Sequence, residues 1–416
     1  MTDAPISRRV LLAGVAGALG AHALRRAGHA QAPAQAPAQA PQAVVPPDPT
    51  KLPGAPPSQL GQRSAFERPR RIPLGNGHSS LAPLQGLYGI VTPADLHFER
   101  HHGGVPAIDP QRYKLLIHGM VERPQVFDLD ALKRFPAVSR LHFLECSGNG
   151  TPSYRGIRPD LSPQLIDGLT STSEWSGVPL ALLFREVGVK PGAQWFLAEG
   201  EDAAVMSRSI PMEKAWDDAL IAYGQNGEAL RPEQGYPARL FLPGWEGNAN
   251  VKWIRRIEIA DRPFMTREET SKYTDPLGDG TARMFSFVMD AKSIITFPAY
   301  PVILHDRGWW EVSGIAWSGR GRITRVDVST DGGKQWQPAE LQQPVLPKCH
   351  TRFRYLWNWD GRGTTLLSRA VDETGYVQPT LEQLRNARGL GTAYHFNHIR
   401  AWRVQDDGTV VFGLEG

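Results

Sequence analysis

The chain reads as α+β: a mixed α+β region followed by an all-β region of sandwich type. Three observations predict this. From about residue 84 to 275, short β-like apolar runs are interleaved with a helix-like run. From about 283 onward, short β-like runs recur with turn residues between them. The two textures meet at 271–281, a polar segment carrying a proline, which reads as a hinge.

The chain begins with an address. Ser7-Arg8-Arg9-Val10-Leu11-Leu12 precedes an apolar, Gly/Ala-rich stretch to Leu24, and Gly28-His29-Ala30 supplies small residues for cleavage. The stretch is too short to span a bilayer, and the paired arginines read as a twin-arginine signal over residues 1–30. The alternative is an ordinary secretory signal with two chance arginines. Twin-arginine export carries folded proteins, often with a cofactor already inserted, and delivers the mature chain to the periplasm. Gln-Ala-Pro repeats and Val-Val-Pro-Pro-Asp-Pro follow, so residues 31–70 read as a Pro/Ala-rich linker and N-terminal extension.

The first folded domain is expected over 71–275. It holds strand-like runs at 113–118 and 141–145, then a helix at 180–187 with Pro191-Gly192 as its stop signal. Strands at 239–242 and 251–259 follow, divided by Pro243-Gly244. The second domain is expected over 283–416, with strands at 302–304, 311–317, 323–329, 336–341, 353–359 and 365–371. Asp331-Gly332-Gly333 and Asp360-Gly361 supply turns, and strands at such spacing suggest a β-sandwich.

Charge and cysteine count narrow the function. A net charge of +4 over 416 residues, with no Lys/Arg block, gives no sign of nucleic-acid binding. No segment of the mature chain reads as a membrane span. There are 2 cysteines, Cys146 and Cys349, too few for a disulfide framework or a four-cysteine iron–sulfur cluster. No Cys-x-x-Cys-His occurs, so no c-type haem is attached to this chain.

Cys146 lies in Leu141-His142-Phe143-Leu144-Glu145-Cys146-Ser147-Gly148-Asn149-Gly150, where an apolar run enters a Gly-rich turn. A strand end that delivers a soft sulfur to a loop suits a soft metal. A small buried hydrophobe is the bland reading. A nucleophile is a third, although His142, four residues back on the same strand, is too distant for a proton relay. Zinc is a fourth: His97, His101 and His102 form one histidine group and His395-x-x-His398 another, neither with the spacing of a closed structural site.

Three further segments carry a resemblance. The first is Thr92-Pro93-Ala94-Asp95-Leu96-His97-Phe98-Glu99-Arg100-His101-His102-Gly103-Gly104-Val105-Pro106, followed by Tyr113-Lys114-Leu115-Leu116-Ile117-His118-Gly119. The second joins Leu220-Ile221-Ala222-Tyr223-Gly224-Gln225-Asn226-Gly227-Glu228, Gly235-Tyr236-Pro237-Ala238-Arg239 and Val251-Lys252-Trp253-Ile254. The third is Val326-Asp327-Val328-Ser329-Thr330-Asp331-Gly332-Gly333-Lys334-Gln335-Trp336. In this order, with Cys146 between the first and second, they resemble the sulfite oxidase family of molybdopterin enzymes from about residue 84 to 413.

The resemblance implies a sulfite-oxidase-type molybdopterin-binding domain followed by an Ig-like dimerisation domain, with a molybdenum–molybdopterin cofactor. It implies Cys146 as the metal ligand, with a cationic pocket lowering its pKa. Arg100 and His102 take the places of the family's Arg-Asn-His triplet, and His101 replaces the usual Asn. Arg239 and Lys252 are implied as contacts to the anionic cofactor, where charge-assisted hydrogen bonds are strong. Ser147 is implied beside them, and Gln234 stands where a pterin-contacting His is common. Tyr273, in Ser271-Lys272-Tyr273-Thr274-Asp275-Pro276, and Arg100 are implied as catalytic. Packing at the hinge is as good a reading for Tyr273. Trp175 resembles a pocket tryptophan and serves equally well as core.

The departures bear on substrate. Many sulfite oxidases place two arginines after the cysteine, at positions held here by Gly150 and Thr151, and losing a guanidinium removes a bidentate anion donor. Glu-Cys-Ser-Gly-Asn-Gly, the Tyr273 segment and Lys348-Cys349-His350-Thr351-Arg352-Phe353-Arg354 resemble the sulfane dehydrogenase branch of the family, the SoxC type. That branch implies a periplasmic oxidoreductase acting on sulfane sulfur bound to a carrier protein, with water as the oxygen source. It implies a homodimer within a heterotetramer and a dihaem c-type cytochrome subunit as electron acceptor. A sulfite dehydrogenase with the same cofactor is the alternative, and an exported Ig-like binding protein is the non-enzymatic one. Arg352 and Arg354 are candidates for restoring positive charge to the pocket, and Cys349 for its mouth.

Overall fold

The computed structural model describes residues 56–277, 279–389 and 391–413. The predicted signal, and the linker as far as residue 55, lie outside the described residues. Residues 56–62 belong to a separate unit, Met1–Gln62, and everything below concerns Arg63–Gly416.

Two five-stranded sheets build the first region. One runs, in spatial order, Gln125–Phe127, Leu115–Gly119, Ile254–Ala260, Trp195–Gly200, Ser207–Pro211, with a parallel pair between Leu115–Gly119 and Ile254–Ala260. The other orders Glu228–Ala229, Leu220–Gln225, Thr170–Pro179 and Val138–Glu145, with Arg239–Phe241 also paired to Leu220–Gln225. Parallel and antiparallel pairs together make this a mixed α+β fold, as expected. The expected helix forms at Leu180–Val187 with Leu180, Leu183, Phe184 and Val187 buried, apolar residues spaced three and four apart on one face. Its stop is not Pro191-Gly192 but Gly188, whose φ of 68° is the left-handed cap that glycine adopts without steric cost.

Strand Val138–Glu145 positions the site. Its outer half is exposed or half-buried, and Phe143, Leu144 and Glu145 are buried. It pairs in unbroken register with the next strand, from Val138 opposite Gly177 to Glu145 opposite Thr170. The ladder holds the strand end rigid, and Cys146 is the first residue beyond it. There the Cys146 amide donates to Leu169 O at 3.0 Å and the Asn149 amide to Cys146 O at 2.9 Å, closing a tight turn.

The second region is a sandwich of two antiparallel sheets. One orders Lys292–Phe297, Gly308–Trp317, Thr351–Trp359, Glu340–Leu341. The other orders Gln337–Pro338, Ile323–Ser329, Thr364–Asp372, Ala401–Val404, Val410–Gly413. Two expected strands differ. Residues 302–304 form no strand: only Ile303 bridges, to Thr409, at a segment flanked by Pro301 and its missing amide. The run 336–341 splits into two pieces, each pairing with a different sheet. The sequence reading also missed helix Leu381–Arg388, although Thr380 and Gln383 form a full capping box. At the expected hinge, Glu268–Lys272 forms one wide helical turn and Asp275–Pro276 pairs with Ala282–Arg283. One apolar core runs through both regions, joining Phe143, Leu144, Trp175 and Phe241 to Trp317, Phe353 and Trp402.

Two histidines inside this core make the fold sensitive to acid. Burial drives His97 and His350 down to about 3, so both are neutral in the folded state. Above the ordinary histidine range, folded and unfolded chains carry the same charge at these positions. Below it, the unfolded chain takes up protons that the folded chain refuses, so stability falls. Each imidazole contributes a slope of up to ~1.4 kcal/mol per pH unit. The denaturation midpoint is expected to be lower at pH 5 than at pH 7, and His350→Gln is expected to flatten that slope. An unchanged slope in the variant removes His350 from the account.

Candidate active site

Cys146 sits where two cavities meet. The inner one is lined by Phe98, Arg100, His102, Cys146, Gln234, Arg239, Asn248, Lys252 and Tyr273, among others. The outer one shares Arg100, His102, Cys146 and Tyr273 and adds Ser147, Gly150, Thr151, Leu165, Lys272 and Tyr394. Seven of the eight sequence-predicted site residues line the inner cavity, and the eighth, Ser147, lines the outer. They come from six separate stretches of chain, the sixth being the turn Glu268–Lys272 that ends at Tyr273. The extended segment through Glu99–Arg100, the end of Val138–Glu145, the turn at Pro232–Gln234, strand Arg239–Phe241 and the loop before Ile254–Ala260 converge on one space.

The inner cavity is a cationic socket. Arg239 is buried and fixed by bonds to Gln234 O and Asn250 O, both 3.0 Å, while its Nε has no partner. Its guanidinium lies 5.1 Å from the Trp175 ring, and burial lowers its pKa to about 9. Lys252 donates to Arg100 O at 3.2 Å and Glu233 O at 3.0 Å, and contacts His101 Nδ1 at 2.6 Å. Burial first, then the neighbouring Arg239, hold it well below the usual lysine range. His101 Nε2 contacts Glu99 at 2.8 Å, so the residue standing in place of Asn links Lys252 to a carboxylate. Two buried cations and an unpartnered Arg239 Nε call for an anionic occupant, and the unpartnered Asn248 Oδ1 calls for a hydrogen-bond donor on it. The residues therefore fit a phosphate-bearing pterin, and Cys146 lines the same cavity.

Tyr273 lines both cavities. Its hydroxyl lies 2.8 Å from His102 Nε2, and burial followed by the Arg100 charge brings His102 down to about 4. His102 is neutral, so the two groups share one hydrogen bond whose direction follows the imidazole tautomer. Burial first, then Cys146, push the Tyr273 phenol up. Arg208 stacks over its ring at 5.1 Å and is itself tied to Glu246 and Glu269. Cys146 departs from expectation. Burial pushes its thiol up, and a bond from the Gly148 backbone and the Arg100 charge only partly offset this.

Other expected residues fall elsewhere. Trp175 is fully buried, stacked on Phe241 at 4.6 Å, and supports Arg239 from below. Cys349 is buried with its thiol against Leu141 O, so it is not at the mouth. Arg352 bonds to the carbonyls of Leu87 and Gly89, and neither it nor Arg354 lines either cavity. His395 contacts Glu246 at 3.4 Å, and His398 packs against the Tyr154 ring at 6.1 Å. Among the described residues no group of three or more His, Cys, Asp or Glu is arranged to hold a metal by itself. The sequence reading missed Tyr394, whose ring lies 5.2 Å from Tyr273. It comes from the second region, and only its place beside His395 drew attention to that segment.

Gly150 has a steric cause. Its φ is 94°, and a Cβ there meets Arg400 Nη2 at 2.5 Å and Phe396 O at 2.8 Å. An arginine cannot enter by simple substitution. Gly150→Arg is expected to cost about 2–4 kcal/mol from overpacking and left-handed strain. Thermal unfolding measures this, and a variant with wild-type midpoint contradicts it.

Comparison with known proteins identifies the fold. Residues 102–268 match the family model described as oxidoreductase molybdopterin binding domain, and 283–401 match the Mo-co oxidoreductase dimerisation domain. The crystal structure of the sulfane dehydrogenase SoxCD from Paracoccus pantotrophus matches with a TM-score of 0.83 and 46% identity, over 87% of this chain and 95% of that one. Mitochondrial sulfite oxidase of Drosophila melanogaster is 32% identical over 82% of this chain. The NADH nitrate reductase 2 of Phaseolus vulgaris is 32% identical over 67% of this chain. The chain spans 64% of the sulfite oxidase and 35% of that nitrate reductase. Both family models are matched in order, and nearly the whole of a solved relative is covered at 46% identity. The chain therefore belongs to the sulfite oxidase family of molybdopterin oxidoreductases.

Proposed function

We propose that the chain is the molybdenum subunit of a periplasmic sulfane dehydrogenase. The single observation that carries this reading is the outer cavity. Its stretch Gly148, Gly150, Thr151 and Pro152 holds no arginine, Leu165, Ile166, Leu169 and Tyr394 wall it, and Arg100 and Lys272 are its cations. A small dianion gains little from such a wall, whereas a sulfur on an extended peptide arm fits it. The 46% identity to the SoxCD structure supports the same reading.

In this reading Cys146 holds the metal, Arg239 and Lys252 supply charge to the cofactor, and Gln234 and Ser147 shape its bed. Molybdenum on its pterin supplies the two-electron acceptor. Arg100, on the boundary of both cavities, orients negative charge on the substrate sulfur. Tyr273 and His102 handle protons: as water is consumed, a proton passes through Tyr273 Oη to His102 Nε2. The remaining parts are a second copy joined through the second region, a dihaem c-type cytochrome as acceptor, a carrier protein bearing the substrate, and twin-arginine export. Among the described residues no helix is long and apolar enough to cross a membrane.

The test compares turnover of carrier-bound sulfane with free sulfite, using cytochrome c as acceptor and protein from a host that makes the cofactor. Preference for the carrier-bound substrate supports the proposal, and equal turnover favours a sulfite dehydrogenase. Arg100 and Lys272, both on the outer cavity, are the observation on that side.

A further inference from the structure

A buried ion quartet lies behind Cys146. Lys292 opens strand Lys292–Phe297 of the second region and is 1% exposed. Its ammonium lies 2.6 Å from Glu145 Oε1, 3.4 Å from Asp167 Oδ1 and 3.4 Å from Asn149 O. Glu145, fully buried, also accepts from Trp317 Nε1 at 2.6 Å and Asn149 Nδ2 at 2.9 Å. Asp167 takes Arg400 through Nε at 3.0 Å and Nη2 at 3.1 Å. Asn149 closes the ring by accepting from the Leu169 amide at 2.9 Å, and Leu169 O holds the Cys146 amide at 3.0 Å. Two cations face two carboxylates, so the group is neutral overall, and none of the four meets solvent.

Filling this volume with apolar side chains would be as stable or more so. What the charges add is direction. The residue before Cys146 and the third residue after it are both bonded to one ammonium, which comes from another sheet. The turn that carries the thiol is thereby wound around a fixed point rather than held only by its own backbone bonds.

We infer that Lys292 is a positioning residue for Cys146, acting through Glu145 and Asn149 to fix the direction in which the thiol meets the cavity. The inference rests on the proposed role of Cys146 as metal ligand. Lys292 touches neither substrate nor cofactor, and it makes the second region part of the site's framework.

Lys292→Met alone strands Glu145, so folding is its first casualty. The informative variant is the charge-neutral pair Glu145→Gln with Lys292→Met, and Lys292→Arg is the conservative control. In cofactor-free full-length protein, alkylation of Cys146 by iodoacetamide, mapped by peptide mass, is expected to change by about fivefold in the pair and to return toward wild type in Lys292→Arg. In cofactor-loaded protein, the pair is expected to keep its molybdenum, shift the molybdenum(V) electron paramagnetic resonance g-values, and lower kcat by about tenfold with KM little changed. A folded pair with wild-type alkylation rate and wild-type g-values overturns the inference and leaves Lys292 a structural filler. A changed alkylation rate in a protein whose wild type takes up no molybdenum supports the positioning role and sinks the proposed function instead.

Discussion

Cys146→Ser is expected to reduce turnover by at least about 10²-fold and to leave purified protein with less than stoichiometric molybdenum, because a hydroxyl is a harder donor than a thiolate. The fold is expected to survive. Serine is close in volume, and the bonds that shape the turn come from backbone atoms: the residue 146 amide to Leu169 O, and the Asn149 amide to the residue 146 carbonyl. The cations of the inner cavity are untouched, so pterin retention and metal retention are expected to separate, with bound pterin falling less than molybdenum. Metal analysis, pterin fluorescence after release and thermal unfolding together check this. If the variant keeps activity and a full complement of metal, Cys146 is not the ligand and the proposed chemistry fails at its first residue. Loss of activity together with a collapse in thermal midpoint would show a structural cysteine instead.

Much of this site is local in sequence, which is why it was legible. Cys146 stands at the end of a strand whose buried half is read from Phe143-Leu144, and the turn residues follow directly. Arg100 and His102 lie two apart, and Arg239 and Lys252 flank one connection. Each motif sits on a contiguous segment whose backbone is dictated by its own neighbours. What was not legible depends on contacts between distant segments. Tyr394 reaches the outer cavity from beyond residue 390, with no periodicity or spacing to link it to Tyr273. The burial that raises the Cys146 thiol is a property of the assembled core, which counting nearby cations in the sequence does not show. Arg352 and Arg354 erred the other way: their charge was visible, but not the carbonyls of Leu87 and Gly89 that bind Arg352. The helix Leu381–Arg388 shows that a legible signal can be passed over, since its capping box is written in Thr380 and Gln383.

Arg208→Met is expected to be strongly destabilising, at a position away from Cys146. The guanidinium is 1% exposed and lies between two buried carboxylates, 3.1 Å from Glu246 Oε1 and 2.7 Å from Glu269 Oε1. Methionine fills much of the volume but leaves two buried carboxylates without their cation, and breaking a buried pair costs about 3–5 kcal/mol. The loss depends on pH with a definite sign. Burial alone would raise the Glu246 carboxyl, but the Arg208 charge, with bonds from His395 and Asn248, holds it below the ordinary range. That depressed pKa contributes stability above the ordinary carboxylate range, and it is lost as pH falls through the folded value. Without Arg208 the Glu246 carboxyl protonates at higher pH, so the deficit of the variant is expected to be largest near pH 7 and to shrink toward pH 4. Denaturant midpoints of wild type and variant across that interval measure it, and a deficit that grows on acidification contradicts the assignment. The same substitution removes the cation from over the Tyr273 ring, 5.1 Å away, so the bond between Tyr273 and His102 loses its support from that side. Arg208→Met is therefore expected to lower kcat even at temperatures where the variant is folded. A variant that is destabilised yet turns over normally would show that Tyr273 is held by its other neighbours, Tyr394 and His102, without help from the ion pairs beneath it.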